Sequence, residues 1–483
     1  MISVVFPRTP TRRTRVVVPF LAATALLLTA CGGSARPTGA ETPDGAPTIA
    51  MQFAPRSGYA VDTDDAFVLT QLGATETLVG ESPDRTAAPR LATAWTRTDP
   101  LTWRFALRPG VSFQDGTPLT AQAVAGSLNW VAASSAPPRA VKGIGLSAKP
   151  DRDGTVLVAT TKPDPILPLR LTSPNTAILA PSAYRGGSPP AVLGTGTGPM
   201  TLTATDGTQS ATLARNDAYW GGSPKLASVR AEYVPDPSAR ALSFQAGDVD
   251  IAVGLSDAGL LAAQAVRGAQ VQAVPAPRTV SLLLNQSAAP FSDARVRQAV
   301  AKAIDRTAPA EQALAGAATP ASELFGPAVP WGSTQAPPAP DLAGARALLA
   351  EAGFGPAQPL AVRLWTYPNR PELPVLTTAV QAMLKEAGID ARIQVGEYST
   401  QEPEILAGRF DMYVLSRSYL TDVPDDAAQR RQVFTRAAAQ LVTDAVGVPL
   451  VHPQENAAVR GVSGFTTDPT GKALVTAQLA KTG

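Results

Sequence analysis

The sequence predicts a mixed α/β fold, because strand-like and helix-like segments alternate along most of its 483 residues. Segments rich in β-branched residues, or alternating apolar with polar residues, are typical of strands: VLVAT (156–160), SVRAEYV (228–234), VSLLLN (280–285), LAVRLWTY (360–367) and DARIQVGEY (390–398). Segments with apolar residues three and four positions apart predict helices: TAQAVAGSLNWVA (120–132), ARVRQAVAKAID (294–305), DLAGARALLAEAG (341–353) and ELPVLTTAVQAMLKEAG (372–388).

Residues with special backbone or capping chemistry mark the ends of these elements. Thr120 precedes the first predicted helix, where its hydroxyl is able to cap the free backbone N–H groups. Gly353 and Gly388 follow two other helices, and glycine accepts the left-handed conformation that ends a helix. In WRFAL (103–107) every second residue is apolar, which predicts a half-buried strand before the turn at Pro109.

Composition favours a large soluble body that does not bind nucleic acid. Residues 1–30 contain four arginines and no acids, so the remainder carries 37 basic against 39 acidic residues, a formal charge of −2. A nucleic-acid-binding protein usually has a basic surplus or a basic cluster with interleaved aromatic residues. With 45% hydrophobic residues, the chain has enough apolar material for two or three domains.

The single cysteine, Cys31, stands at the end of a predicted export leader. Four arginines precede the apolar run VVVPFLAATALLLTA, which is too short for a membrane-spanning helix and contains Pro19. The stretch LTAC (28–31) resembles the bacterial lipobox, in which the leader is cut before the cysteine and the new terminal cysteine receives lipid. We therefore expect a signal peptide at 1–30, a lipid anchor on Cys31 and a flexible tether at 31–47.

Motifs for catalysis are scarce. His452 is the only histidine, so a two-histidine metal site cannot form, and packing beside Pro453 is its ordinary role. The stretch GTGTGPM (194–200) lacks the Lys-Ser/Thr pair of a phosphate-binding loop, and Pro199 removes one backbone N–H. The sequence therefore predicts a protein that is not an enzyme and has no cofactor.

Long motifs resemble those of the extracytoplasmic solute-binding proteins, family 5, which serve dipeptide, oligopeptide and nickel ABC importers. They are APRLATAWTRTDPLTWRFALRPGVSFQDGTPLTAQAV (88–124), ARNDAYWGGSPKLASVRAEYVPDPSARALSFQAGDVDIA (214–252) and LLLNQSAAPFSDARVRQAVAKAIDR (282–306). DLAGARALLAEAGF continues the resemblance, which covers nearly the whole chain after the leader.

This resemblance implies a type II periplasmic-binding-protein-like fold, in which two lobes close around a solute and an additional domain is inserted. The expected first lobe combines 45–70, 187–275 and 450–483; the inserted domain is 71–186, and the second lobe is 276–449. No bond need be made or broken in such a protein.

The resemblance also implies candidate ligand contacts. Arg417 and Tyr419 fall where nickel-binding relatives present an arginine and an aromatic ring, and Asp422 lies near the acidic residue with which peptide binders pair a peptide amine. Tyr59 and Arg139 complete the candidate set. A peptide or peptide-like solute is the expected ligand, and a nickel chelate or metallophore is the alternative. By this resemblance the chain is shorter than its relatives between Asp426 and Val446. If the missing residues normally cover the cleft, the size of the ligand pocket differs.

The expected partners follow from the same resemblance. They are a small solute, an ABC permease with its ATPase, and the membrane that holds the lipid anchor, with the protein itself a monomer outside the cytoplasm. A family member that acts in sensing or surface interaction without transport is the second alternative.

Overall fold

The computed structural model describes residues 45–82, 85–152, 154–187, 189–314, 318–329, 332–368, 370–418 and 427–482. The predicted leader, Cys31 and most of the tether lie outside these ranges, as do Tyr419 and Asp422.

The strands alternate with helices along the described chain. The strands are β1 Thr48–Met51, β2 Val79–Glu81, β3 Ala87–Pro89, β4 Ala92–Asp99, β5 Thr102–Leu107, β6 Ser147–Pro150, β7 Thr155–Ala159, β8 Met200–Asp206, β9 Ser210–Arg215, β10 Ser228–Tyr233, β11 Ile251–Val253, β12 Gln270–Pro275, β13 Arg278–Leu284, β14 Ala318–Pro320, β15 Leu360–Thr366, β16 Ile389–Val395, β17 Met412–Ser418, β18 Gly447–Val459, β19 Val462–Ser463 and β20 Ala480–Lys481.

The helices are α1 Asp65–Gln71, α2 Ala121–Ala132, α3 Leu167–Arg170, α4 Pro237–Ala246, α5 Asp257–Gln264, α6 Ala294–Ala303, α7 Leu342–Glu351, α8 Glu372–Ala387, α9 Tyr398–Leu406 and α10 Ala427–Thr443. Short 3₁₀ turns occupy Pro174–Thr176 and Pro181–Tyr184, and a π-helical turn occupies Pro309–Ala313.

One long mixed sheet organises most of these elements. Its strand order is β16-β15-β17-β13-β18-β11-β1-β10-β9-β8, with β12 and β14 also paired to β18. The pairs β1–β10, β1–β11, β15–β16 and β15–β17 are parallel, and each connection between such strands contains at least one helix. We call β8, β9, β10, β1, β11 and β12 the first half-sheet, and β13 to β17 the second half-sheet.

A separate antiparallel sheet has the order β4-β5-β7-β6. Helix α2 packs on it through its apolar face, which includes the fully buried Val124 and Leu128. Phe105 on β5 is also fully buried, whereas Trp103 and Leu107 are partly exposed, so the half-buried strand predicted for WRFAL is confirmed.

Buried apolar residues form three large cores. One unites residues between 280 and 451, a second unites parts of 49–74, 179–253 and 457–479, and a third unites residues between 78 and 180. A small fourth core lies between α4, α5 and β18. The domain boundaries expected from the sequence stay a prediction.

The structure confirms most of the predicted element ends. Thr120 accepts a hydrogen bond from the backbone N–H of Ala123 at 3.2 Å. Gly353 and Gly388 adopt φ values of +89° and +95°, and Gly388 caps α8. The predicted strand DARIQVGEY is too long at its end, because Tyr398 is already the first residue of α9.

The glycines of GTGTGPM serve close backbone packing. A Cβ atom on Gly196 would lie 2.0 Å from the carbonyl oxygen of Ala74, and one on Gly198 would lie 2.2 Å from that of Gly73. Only residues without a side chain allow the two segments to approach so closely. This packing explains the motif without a bound phosphate.

Candidate functional site

Two stretches of backbone pass from the first half-sheet to the second. The residues between β12 and β13 form one of them, and β18 forms the other, because its end after 453 pairs with β11 and β12 while its beginning pairs with β13 and β14. We call these two stretches the crossing. Segments on either side of the crossing lie opposite each other, and few covalent links join them. The loop 52–64 after β1 lies on one side, and α9 lies on the other.

An ion pair joins these two segments. The guanidinium of Arg56, in loop 52–64, donates to the carboxylate of Glu397, just before α9, at 2.5 Å. The loop is held in shape by the buried carboxylate of Asp65, which accepts backbone N–H bonds from Arg56, Ser57 and Tyr59 at 2.7 to 2.9 Å. The structure thus has the two segments in contact.

Tyr59 lies in this loop but directs its hydroxyl into the protein. It is only 4% exposed, and its hydroxyl oxygen lies 2.8 Å from that of Tyr233. Its backbone adopts a φ of +64°, which is uncommon for a residue with a side chain and often marks functional segments. Its predicted contact with the ligand stays a prediction.

Three tyrosines cluster on the other side of the crossing. Tyr367 lies 5.4 Å from Tyr398 and 6.0 Å from Tyr413 between ring centroids. The hydroxyl of Tyr398 donates to Glu402 at 3.0 Å. The hydroxyl of Tyr413 is buried without a hydrogen-bond partner among the described residues, and so is that of Ser416. Such buried polar groups normally bind water or a ligand.

Arg417 and Arg139 both act on this tyrosine cluster. Burial and the neighbouring Glu402 raise the pKa of Tyr398 to about 12, and the positive charges of Arg417 and Arg139 oppose that rise. Arg417 ends β17, whereas Arg139 follows α2 far away in sequence. Within the described ranges neither guanidinium makes a hydrogen bond or ion pair, and both side chains are exposed.

Two acidic groups, Asp64 and Glu402, also lie near each other. Neighbouring protein atoms displace water from the carboxylate of Asp64 and raise its pKa; Glu402 and Asp65 raise it further, and Arg56 lowers it. Asp64 belongs to loop 52–64 and Glu402 to α9, so the two carboxylates come from opposite sides of the crossing. The site therefore combines two arginines, two carboxylates and three tyrosines.

The structure brings together two of the predicted ligand contacts, Arg417 and Arg139, beside Tyr398. Tyr419 and Asp422 lie outside the described residues, so their roles stay predictions. Sequence reasoning did not identify Tyr398 and Glu402 as site residues. They lie on a short helix that contains Pro403 and begins soon after β16, so its sequence does not predict a helix. The segment before β18 that we expect to be shorter than in the relatives contains α10, Ala427–Thr443.

His452 takes no part in this site. It lies within β18, is 4% exposed, and its Nδ1 atom lies 3.0 Å from the hydroxyl oxygen of Thr279. Burial lowers its pKa to about 4, so the ring is neutral at physiological pH. Among the described residues, no group of three His, Cys, Asp or Glu side chains has the geometry to hold a metal ion.

The low pKa of His452 gives a prediction for stability. An unfolded histidine titrates near 6.5 and the folded one near 4, so the unfolded state binds more protons between these values. Stability contributed by the neutral ring is therefore lost as pH falls from 6.5 to 4, by roughly 3 kcal/mol. Urea unfolding at several pH values measures this loss.

A His452→Gln variant serves as the reference, because other groups titrate in the same range. Burial and Glu372 raise the pKa of Asp257 to about 6, which stabilises the fold in the opposite direction as pH falls. The difference between the two proteins cancels that contribution. Parallel pH profiles for wild type and His452→Gln would contradict the assignment.

Comparison with known proteins identifies the family of this chain. Residues 86–439 match the family of bacterial extracellular solute-binding proteins, family 5. The chain belongs to this family. The family 5 protein is also similar in structure to NikA from Brucella suis in complex with Fe(III)-EDTA, with a TM-score of 0.81, 24% identity, and coverage of 91% of this chain and 100% of that one. Its fold is type II periplasmic-binding-protein-like, as predicted.

Two curated relatives of this family 5 protein differ in what they bind. The nickel-binding periplasmic protein of Escherichia coli K12 is 28% identical over 371 residues, which cover 70% of this chain and 68% of that protein. The glutathione-binding protein GsiB of Salmonella paratyphi A is 30% identical over 338 residues, covering 68% of this chain and 65% of that protein. The matches thus span about two thirds of the relatives' length.

Membership of the family makes this chain a binding protein and not an enzyme, as predicted. The family is extracellular, which agrees with the expected location outside the cytoplasm. Among the described residues of this family 5 protein, no helix is long and apolar enough to span a bilayer.

Proposed function

We propose that this protein captures a peptide or peptide-like solute between loop 52–64 and α9 and delivers it to an ABC permease. The observation that carries the proposal is that two arginines without protein partners among the described residues and two carboxylates lie around the tyrosines. A peptide offers a carboxylate for Arg139 and Arg417 and an amine for Asp64 and Glu402. Charge-assisted hydrogen bonds to both ends would fix its direction, and the three tyrosines would pack on the middle.

Capture would proceed by closure of two lobes about the crossing strands. The proposed lobes are 45–70 with 187–275 and 450–483 on one side, and 276–449 on the other, with 71–186 inserted. The Arg56–Glu397 ion pair would form on closure, since its partners come from opposite lobes. Solute binding would stabilise the closed state through contacts that the open state lacks.

A nickel chelate or metallophore is the second candidate, and the similarity to the nickel-binding protein of E. coli favours it. With one histidine in the chain, and that one buried, a bare transition metal would have no accessible imidazole ligand. The metal would arrive inside a chelator whose carboxylates face Arg139 and Arg417.

Mass spectrometry of solute retained through purification distinguishes the two candidates. We expect the protein, expressed in a peptide-rich medium and denatured after washing, to release peptides that rebind to the emptied protein with saturable heat in calorimetry. Release of a nickel-containing chelate, with no binding of peptide mixtures, would contradict the peptide assignment and support the chelate. A protein that binds neither class would contradict transport.

We also propose that Cys31 is lipidated and holds the protein at the cell membrane, on its outer face or periplasmic side. We expect Cys31→Ser to leave the protein folded while releasing it from membranes or leaving its leader uncut, because the anchor is separated from the first strand by a tether. Membrane fractionation with immunodetection measures this. A variant that is processed and still membrane-bound at the wild-type level would contradict it.

A further inference from the structure

A second polar cavity lies away from the proposed cleft. It has a volume of about 340 Å³ and lies between segment 70–82, Arg90, Tyr219 and the C-terminal segment 468–477. None of the cleft residues Arg56, Asp64, Tyr398 and Arg417 lines it. Its possible occupant is therefore independent of the solute proposed above.

Two donors in this cavity have no acceptor within the part of the chain that the structure describes. Arg90 is half-buried, and its guanidinium makes no hydrogen bond or ion pair there. Thr75 is only 3% exposed, and its hydroxyl is buried without a partner. By contrast, the hydroxyls of Thr70 and Thr77 in the same wall donate to backbone carbonyl oxygens. A buried donor without an acceptor is costly unless water or a ligand supplies one.

The acidic side chains of the cavity already have hydrogen-bond or ion-pair partners within the protein. Glu76 accepts hydrogen bonds from the Thr197 hydroxyl at 3.0 Å, the Trp220 indole N–H at 2.8 Å and the Tyr219 hydroxyl at 3.1 Å. Glu81 forms ion pairs with Arg85 at 2.7 Å and with Lys472, although its buried Oε1 atom accepts no hydrogen bond among the described residues.

The carboxylate of Asp468 accepts hydrogen bonds from the backbone N–H groups of its own loop, among them those of Lys472 and Ala473 at 2.9 Å. With all three carboxylates engaged, the hydrogen-bonding capacity that remains in the wall is mainly that of the donors Arg90 and Thr75.

The local backbone makes room for the Arg90 side chain. A Cβ atom on Gly80 would lie 3.2 Å from Nε of Arg90, closer than ordinary side-chain contacts. Burial raises the pKa values of Glu76 and Tyr219, and the positive charge of Arg90 opposes that rise, so its guanidinium lies near both side chains. The arginine is therefore placed at the cavity and does not extend freely into solvent.

We propose that this cavity binds a small molecule through a carboxylate or phosphate group. Arg90 would donate two parallel hydrogen bonds to the oxyanion, a geometry that suits the planar guanidinium, and the Thr75 hydroxyl would donate a further one. Glu76 does not exclude an anion, because three donors already surround its carboxylate.

The test is calorimetric titration of the leader-free protein with inorganic phosphate and, separately, with succinate, at constant ionic strength in chloride buffer. We expect one of the two probes to bind saturably, and the responding probe identifies the oxyanion. Arg90→Gln should weaken that binding at least tenfold. Arg97→Gln, which changes an exposed arginine bonded to the Pro100 carbonyl, is the matched control and should bind as wild type.

Thr75→Val separates a binding role from a structural one. The hydroxyl has no hydrogen-bond partner among the described residues, so the isosteric valine should leave the melting temperature unchanged or higher. The same substitution should weaken anion binding several-fold. The proposal is overturned if neither probe binds saturably, or if binding survives both Arg90→Gln and Thr75→Val. It is equally overturned if binding is abolished by Arg417→Ala but not by Arg90→Gln, because the anion then occupies the cleft.

Discussion

Replacing Arg417 by alanine is expected to abolish most solute binding, a loss of about 2 to 5 kcal/mol for a charged pair that the bound solute buries. Arg417 has no hydrogen-bond or ion-pair partner within the described residues, so its removal breaks no such bond among them. The melting temperature of the solute-free protein should therefore change little. Calorimetry with the solute identified by mass spectrometry measures the affinity, and a thermal melt measures the stability.

Arg392→Ala is the matched control, because Arg392 is an exposed arginine on β16 of the same sheet that pairs only weakly with Asp390, at 3.6 Å. Arg139→Ala should weaken binding in the same direction as Arg417→Ala, since both charges act on Tyr398. Wild-type affinity in Arg417→Ala, Arg139→Ala and Tyr398→Ala would show that these residues do not belong to the solute-binding site.

Replacing Arg278 by methionine should lower the free energy of unfolding by about 3 to 5 kcal/mol, the usual cost of breaking a buried ion pair. Arg278 is 6% exposed at the start of β13, pairs with Glu455 of β18, and lies 3.5 Å from the carboxylate of Glu372. Without Arg278, the carboxylates of Glu372 and Glu455 both lose their main counter-charge beside β18, the strand that passes between the half-sheets. Denaturant unfolding measures the loss.

Removing the partner should restore part of that loss. In Arg278→Met/Glu455→Met one of the two carboxylates is absent, and apolar side chains are able to fill the space. Arg295→Met is the surface control, because the Arg295–Asp293 pair is exposed and such pairs contribute at most about 1 kcal/mol. If Arg278→Met were as stable as Arg295→Met, the crossing strands would not depend on this ion pair.

The elements that sequence reasoning identified well have a strong local signal. Helix α8 combines regular apolar spacing with Gly388 at its end, and α2 combines it with the cap of Thr120, so each boundary follows from neighbouring residues. Helix α9 lacks such a signal. Its sequence YSTQEPEIL contains Pro403 and few apolar residues, and it follows β16 after a single glycine and glutamate. Local propensity is a weak guide to such a segment.

The candidate site divides along the same line. Arg417 was identified from the motif around it, but nothing near Arg139 in the sequence links it to Tyr398, since some 260 residues separate them. The pairing of Arg56 with Glu397 also depends on two segments that meet only in the folded chain.

By itself the sequence determined the α/β class, the family and the absence of catalytic motifs, because these depend on periodicity, composition and contiguous motifs. The tertiary structure alone decided which charges meet. It placed Asp64 near Glu402, gathered the three tyrosines, buried His452 within β18 and left Arg90 and Thr75 without acceptors among the described residues. The physical reason is that electrostatic and hydrogen-bonding partners are chosen by distance in space, to which separation along the chain is no guide.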